Sequence, residues 1–160
     1  MTIKVGDRVP EATFLVMEAG EIKPVGSADF FGGKKVALFG IPGAFTPTCS
    51  AAHLPGYVKN ADALKAKGVD TIACVAVNDV FVMNAWGKDQ GLTGEVVLLA
   101  DGSGDFAKAT GLEFDLSGKG LGVRNQRYSA VIDDGVVSAF YLDEPGAFEV
   151  SSAEKMLEQL

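Results

Sequence analysis

The chain has 160 residues, 48% hydrophobic and 22% charged, with a formal net charge of −7. That length suits one domain over 1–160, able to bury roughly 70% of its unfolded surface without a disulfide or metal. The acidic balance argues against nucleic-acid partners, no apolar run reaches the ~20 residues of a membrane span, and one His with two Cys cannot complete a four-ligand zinc site.

The N-terminal stretch MTIKVGDRVPEATF lacks an apolar h-region, so no secretory signal is expected. With only two cysteines, this predicts a reducing compartment and a cytoplasmic location. TFLVM (13–17) is compatible with a strand. KKVALFGI (34–41), bounded by glycines and by Pro42-Gly43, reads as a central strand covered on both faces. From Pro47 to about Ala66 the apolar residues recur at helical spacing, with Pro55 and Gly56 expected to bend the helix and Gly68 to stop it.

VDTIACVAV (69–77) predicts a second buried strand, Val80–Lys88 a helix, EVVLLA (95–100) a third strand and Gly104–Thr110 a short helix. Arg127–Asp133 and Val136–Leu142 flank Asp134-Gly135, a strong hairpin signal. Ser152–Leu160 closes the chain as a helix capped by Ser151 or Ser152. Strands alternating with helices, followed by a hairpin, predict a mixed α/β sandwich.

The segment richest in chemistry is Gly40-Ile41-Pro42-Gly43-Ala44-Phe45-Thr46-Pro47-Thr48-Cys49-Ser50. It joins the carboxyl end of a buried strand to a helix start, where sites in open α/β sheets lie. Pro47 suits the first helical turn, Thr46 the cap, and Cys49 then falls near the positive end of the helix dipole. Helix starts and nearby cations bring thiols from ~8.5 into the range ~3.5–7.5 and make them nucleophiles. The alternative for Cys49 is a buried structural thiol. The spacing Thr46-x-x-Cys49 places a hydroxyl where a dithiol oxidoreductase carries its first cysteine, which disfavours disulfide exchange and favours a polar substrate.

This loop, with Pro42, Thr46 and Cys49, resembles the active-site loop of peroxiredoxins, in the variant of the atypical type II, peroxiredoxin-5-like branch. HLPGYV (53–58), ACVAVNDVFVMNAW (73–86), LLADGSGDF (98–106), GLEFDLSGKGLGVRNQRYSAVIDDG (111–135) and the SSAEKML tail extend the likeness over nearly the whole chain. The resemblance implies a thioredoxin-like α/β fold, a central mixed β-sheet flanked by helices with an N-terminal β extension. It implies reduction of hydrogen peroxide and alkyl hydroperoxides without metal or cofactor. Cys49 is then the peroxidatic cysteine that becomes a sulfenic acid, Thr46 the hydroxyl that hydrogen-bonds the thiolate or the peroxide, and Pro42 the shield against water. Arg127, followed by Tyr128, fits the place of the family's active-site arginine, with Arg124 as second candidate. A homodimer joined near the active-site helix is also implied.

Cys74 lies in the apolar run Ile72–Ala76, where core packing competes with a role in resolving the sulfenic acid. The expected cycle uses one cysteine, with an external thiol as reductant: glutathione with glutaredoxin first, thioredoxin as the alternative. Gly102-x-Gly104-x-x-Ala107 mimics a dinucleotide fingerprint but lacks the carboxylate ~20 residues on. His53, four residues after Cys49 on one helix face, permits a Cys–His pair, against the plainer reading of a half-buried helix residue. Trp86, Phe39, Phe45 and Phe81 read as core or dimer contacts, and Asp133-Asp134 as a turn.

Overall fold

The computed structural model describes residues 2–160. Its centre is a seven-stranded sheet in the order β2-β1-β5-β4-β3-β8-β9. The strands are β1 (Thr13–Glu18), β2 (Glu21–Gly26), β3 (Lys35–Gly40), β4 (Thr71–Ala76), β5 (Val97–Ala100), β8 (Tyr128–Asp133) and β9 (Val136–Leu142). A ribbon of β6 (Glu113–Leu116) and β7 (Gly122–Asn125) stands apart. β3, β4 and β5 run parallel, while β8 joins β3 antiparallel and β1 joins both β2 and β5 antiparallel. This is the thioredoxin-like mixed sheet the resemblance implies, with β1–β2 as its N-terminal extension.

The continuous apolar runs are explained by helices on both faces. Along β3 and β4, Ala37, Phe39, Ile72, Cys74 and Ala76 enter one apolar cluster with Cys49, Leu54, Tyr57 and Trp86. The alternate residues Val36, Leu38, Ala73 and Val75 enter the other, with Phe14, Phe31 and Phe106. Among the described residues the α-helices are α1 (Ser27–Phe31), α2 (Leu54–Lys59), α3 (Ala61–Ala66), α4 (Val80–Asp89), α5 (Asp105–Thr110) and α6 (Ala153–Gln159). Ser152 caps α6, its hydroxyl accepting from the Lys155 amide.

The single helix expected from Pro47 to Ala66 is divided. Residues Cys49–His53 form a widened π-type turn in which the Leu54 amide donates back to the Cys49 carbonyl. Pro55 has no N–H to donate and its ring clashes with a normally placed carbonyl four residues earlier, so the turn before it opens. A second interruption at Asn60, whose side chain donates to the Gly56 carbonyl at 2.8 Å, separates α2 from α3. The Asp134-Gly135 hairpin forms as expected, both residues at positive φ (47° and 79°).

β2, α1, β6 and β7 were not expected from the sequence. β2 carries Glu21, Lys23 and Pro24, and is a strand because it lies at a sheet edge, where a missing N–H and charges are tolerated. α1 is five residues between glycines, held by the buried Ser27 hydroxyl donating to Pro10 O at 2.9 Å. β6 and β7 lie in a glycine-rich stretch with a weak alternation and pair only with each other.

Candidate active site

β3 ends at Gly40 and the loop 41–46 carries the chain to a helix start at Pro47, so Cys49 sits in the first turn. The loop is pinned at three points. The Ala44 amide donates to Asn78 Oδ1 at 2.9 Å, the Thr46 hydroxyl donates to Gly43 O at 2.6 Å, and Arg124 Nη1 donates to Pro42 O at 3.2 Å. Thr46 therefore does not cap the helix with its side chain, contrary to expectation. Its hydrogen is committed to the loop, and its oxygen is left as an acceptor. Asn78 was not singled out in the sequence, although it stands where β4 ends.

Cys49 is fully buried. The sulfur at this helix start is therefore closed off from solvent in the resting fold. Arg127, just before β8, the strand paired with β3, reaches it with Nη2 donating to Sγ at 3.1 Å. The second guanidinium nitrogen, Nη1, donates to His53 Nδ1 at 2.8 Å. A guanidinium has no lone pair to offer, so Nδ1 is the acceptor and the ring proton lies on Nε2, which donates to Ser151 O at 3.0 Å. Burial, and then the Arg127 charge, push His53 down to about 3, so it is neutral at any physiological pH. Phe148 covers Arg127, its ring centroid 5.7 Å from the guanidinium carbon.

Arg127, not Arg124, thus meets the sulfur, and Arg124 braces the Pro42 turn instead. His53 is wholly buried, correcting the half-buried helix residue, and its ring addresses Arg127. Cys74 lies in the same apolar cluster as Cys49, and burial followed by the neighbouring sulfur pushes its thiol well up. Pro42, Thr46, Pro47, Arg127, Phe114 and Leu121 border a cleft of about 330 Å³. A larger groove of about 510 Å³ between β1 and α4 holds none of these residues. The arrangement can hold an anionic sulfur beside a fixed cation, next to a cleft with both polar and apolar walls.

The Redoxin family model matches residues 4–157. Peroxiredoxin-2E, chloroplastic, of Arabidopsis thaliana is 52% identical over 99% of this chain and 70% of its own length. Peroxiredoxin-2E-2, chloroplastic, of Oryza sativa subsp. japonica is 53% identical over 99% of this chain and 73% of its own. The crystal structure of reduced Prx3 from Vibrio vulnificus in complex with H2O2 superposes with a TM-score of 0.95, at 51% identity and 99% coverage of both chains. The cytoplasmic location expected above is overturned by the chloroplastic names of the two plant relatives. Free thiols specify a reducing compartment but not which one. Matches of this identity over nearly the full length establish that the chain belongs to the Redoxin family, among the peroxiredoxins, thiol-dependent peroxidases of antioxidant defence.

Proposed function

We propose that Cys49 is the peroxidatic cysteine of a one-cysteine cycle that reduces hydrogen peroxide and alkyl hydroperoxides. The observation that carries this is the Arg127 guanidinium 3.1 Å from the Cys49 sulfur. The thiolate attacks one peroxide oxygen. An S–O bond forms as the O–O bond breaks, the departing hydroxide or alkoxide takes up from solvent the proton that the Cys49 thiol released, and Cys49 becomes a sulfenic acid. Arg127 stabilises the negative charge that grows on the leaving oxygen. Thr46, its own hydrogen bonded to Gly43 O, accepts a hydrogen bond from the incoming peroxide, and Pro42 shields the sulfur from water. His53 donates its one ring proton to Ser151 O and serves Arg127, not the peroxide.

Cys74 is buried and stays a protonated thiol, so an external thiol resolves the sulfenic acid. That thiol condenses with it, releasing water and forming a mixed disulfide, and a second thiol then frees Cys49. The cycle needs no cofactor. Glutathione with glutaredoxin is the donor we favour, with thioredoxin as the alternative. Because Cys49 is covered, the widened turn at Cys49–His53 must open for the donor to reach it.

The matching segments along the chain support the atypical type II, peroxiredoxin-5-like branch, with residues 1–160 as one domain. A homodimer joined near the active-site helix is supported by Phe45 and Phe81, which are 53% and 64% exposed. A plastid is the location the two plant relatives support. The test is peroxide consumption with glutathione and glutaredoxin, abolished in Cys49→Ser and retained in Cys74→Ser. A single stoichiometric oxidation without turnover under any thiol donor would make the protein a redox sensor instead.

A further inference from the structure

Nothing in the reaction calls for a carboxylate at position 143, yet the segment between β9 and α6 is built around one. Asp143 is almost fully buried. Its Oδ1 accepts from the amides of Glu149 (2.9 Å) and Val150 (2.8 Å). Its Oδ2 accepts from the Ser151 amide at 3.2 Å and from the Ser151 hydroxyl. Burial pushes the carboxyl up, but these hydrogen bonds outweigh it and hold Asp143 below the usual range. The backbone of Ser151 is thereby fixed, and its carbonyl accepts from both His53 Nε2 (3.0 Å) and the Tyr57 hydroxyl (2.9 Å). The Asp143 amide in turn donates to Arg127 O at 3.0 Å, so the chain of contacts closes on the residue it started from.

We propose that Asp143 and Ser151 are positioning residues for the peroxidase reaction: the carboxylate clamps Ser151, the Ser151 carbonyl keeps the His53 proton on Nε2, and the bare Nδ1 aims Arg127 at Cys49. The alternative tautomer would set an Nδ1–H against a guanidinium N–H, donor facing donor, and would turn Arg127 away from the sulfur. Outer partners of this kind fix the tautomer and orientation of the groups that touch the reacting atoms. The inference rests on Arg127 acting on Cys49, as proposed above.

The sequence contains one histidine, so a ¹⁵N spectrum of the imidazole reports His53 alone. In the unaltered protein it should show Nε2 protonated and Nδ1 bare. Asp143→Ala should mix the tautomers and slow Cys49 oxidation by hydrogen peroxide, followed by rapid quench and alkylation, by about 10-fold. Ser151→Ala, which removes only the hydroxyl bond, should move both readouts the same way by less, and it decides the matter if Asp143→Ala does not fold. Ser152→Ala, which loses the α6 cap but leaves the Asp143 contacts, should lower stability without moving either readout. Unmixed Nε2–H with an unchanged rate in the folded Asp143 or Ser151 variant overturns the proposal, as does an equal slowing by Ser152→Ala. If Arg127→Ala also leaves the rate unchanged, the reading of the site itself fails. If Arg127→Ala slows oxidation and Asp143→Ala does not, only the inference does.

Discussion

Arg127 divides its two terminal nitrogens between a sulfur and an imidazole, and that split decides what can replace it. Arg127→Ala should slow peroxide attack on Cys49 by about 10²–10³-fold, the cost of removing a preorganised charge stabiliser. Arg127→Lys should restore only part of this, because one ammonium cannot serve both partners in the fork geometry. Stopped-flow rates of the three proteins decide it, and wild-type speed in Arg127→Ala would remove the guanidinium from the chemistry. Cys49 was legible from its turn alone, since Pro47 and the strand before it announce a helix start. Arg127 was not: read as a residue it is an ordinary strand arginine, and only the family likeness raised it. The His53–Arg127 contact joins positions 74 apart in the chain, which no local pattern encodes.

The central strands β3 and β4 were legible because long apolar runs leave little choice, and the hairpin because Asp-Gly suits two positive-φ positions. β2 and the β6–β7 ribbon were hidden because what makes them strands is a neighbour rather than their own composition. The helix after Cys49 was legible in extent but not in its widened turn, which answers a proline two residues beyond it. Gly40, the last residue of β3, illustrates the same dependence on a neighbour. A side chain there would run into the ring of Tyr128, its antiparallel partner on β8. Tyr128 is buried and cannot give way. Gly40→Ala should therefore cost at least about 2–3 kcal/mol by urea denaturation, the upper part of what overpacking costs. A cost below 0.5 kcal/mol would show that the ring moves freely.

For the molecule as a whole, the neutral His53 links stability to acidity. Burial and the Arg127 charge lower it to about 3 in the folded chain, whereas it titrates near its ordinary 6.5 once unfolded. Between those values the unfolded chain holds the extra proton, so stability is complete above about 6.5 and falls as the pH drops, by up to about 1.4 kcal/mol per unit. Asp143, also lowered, adds a further loss at more acid pH. The urea midpoint should fall steadily from pH 7 to 4.5, and His53→Gln should flatten that slope. A flat wild-type profile would contradict the buried neutral ring. The sheet and its two apolar faces were readable from pattern, but the location was not, since composition carries no address.

Trp86 is the chain's only tryptophan, is fully buried, and its indole N–H donates to the Ser50 hydroxyl at 3.0 Å, one residue past the reactive sulfur. The molecule therefore carries its own optical gauge. A shift of Ser50 when Cys49 gains an oxygen alters the polarity at the indole, so intrinsic emission should change with each oxidation and recover on reduction. Cys49→Ser should stay dark to peroxide, and an emission trace in that variant matching the parent protein would mean the light reports something other than this sulfur.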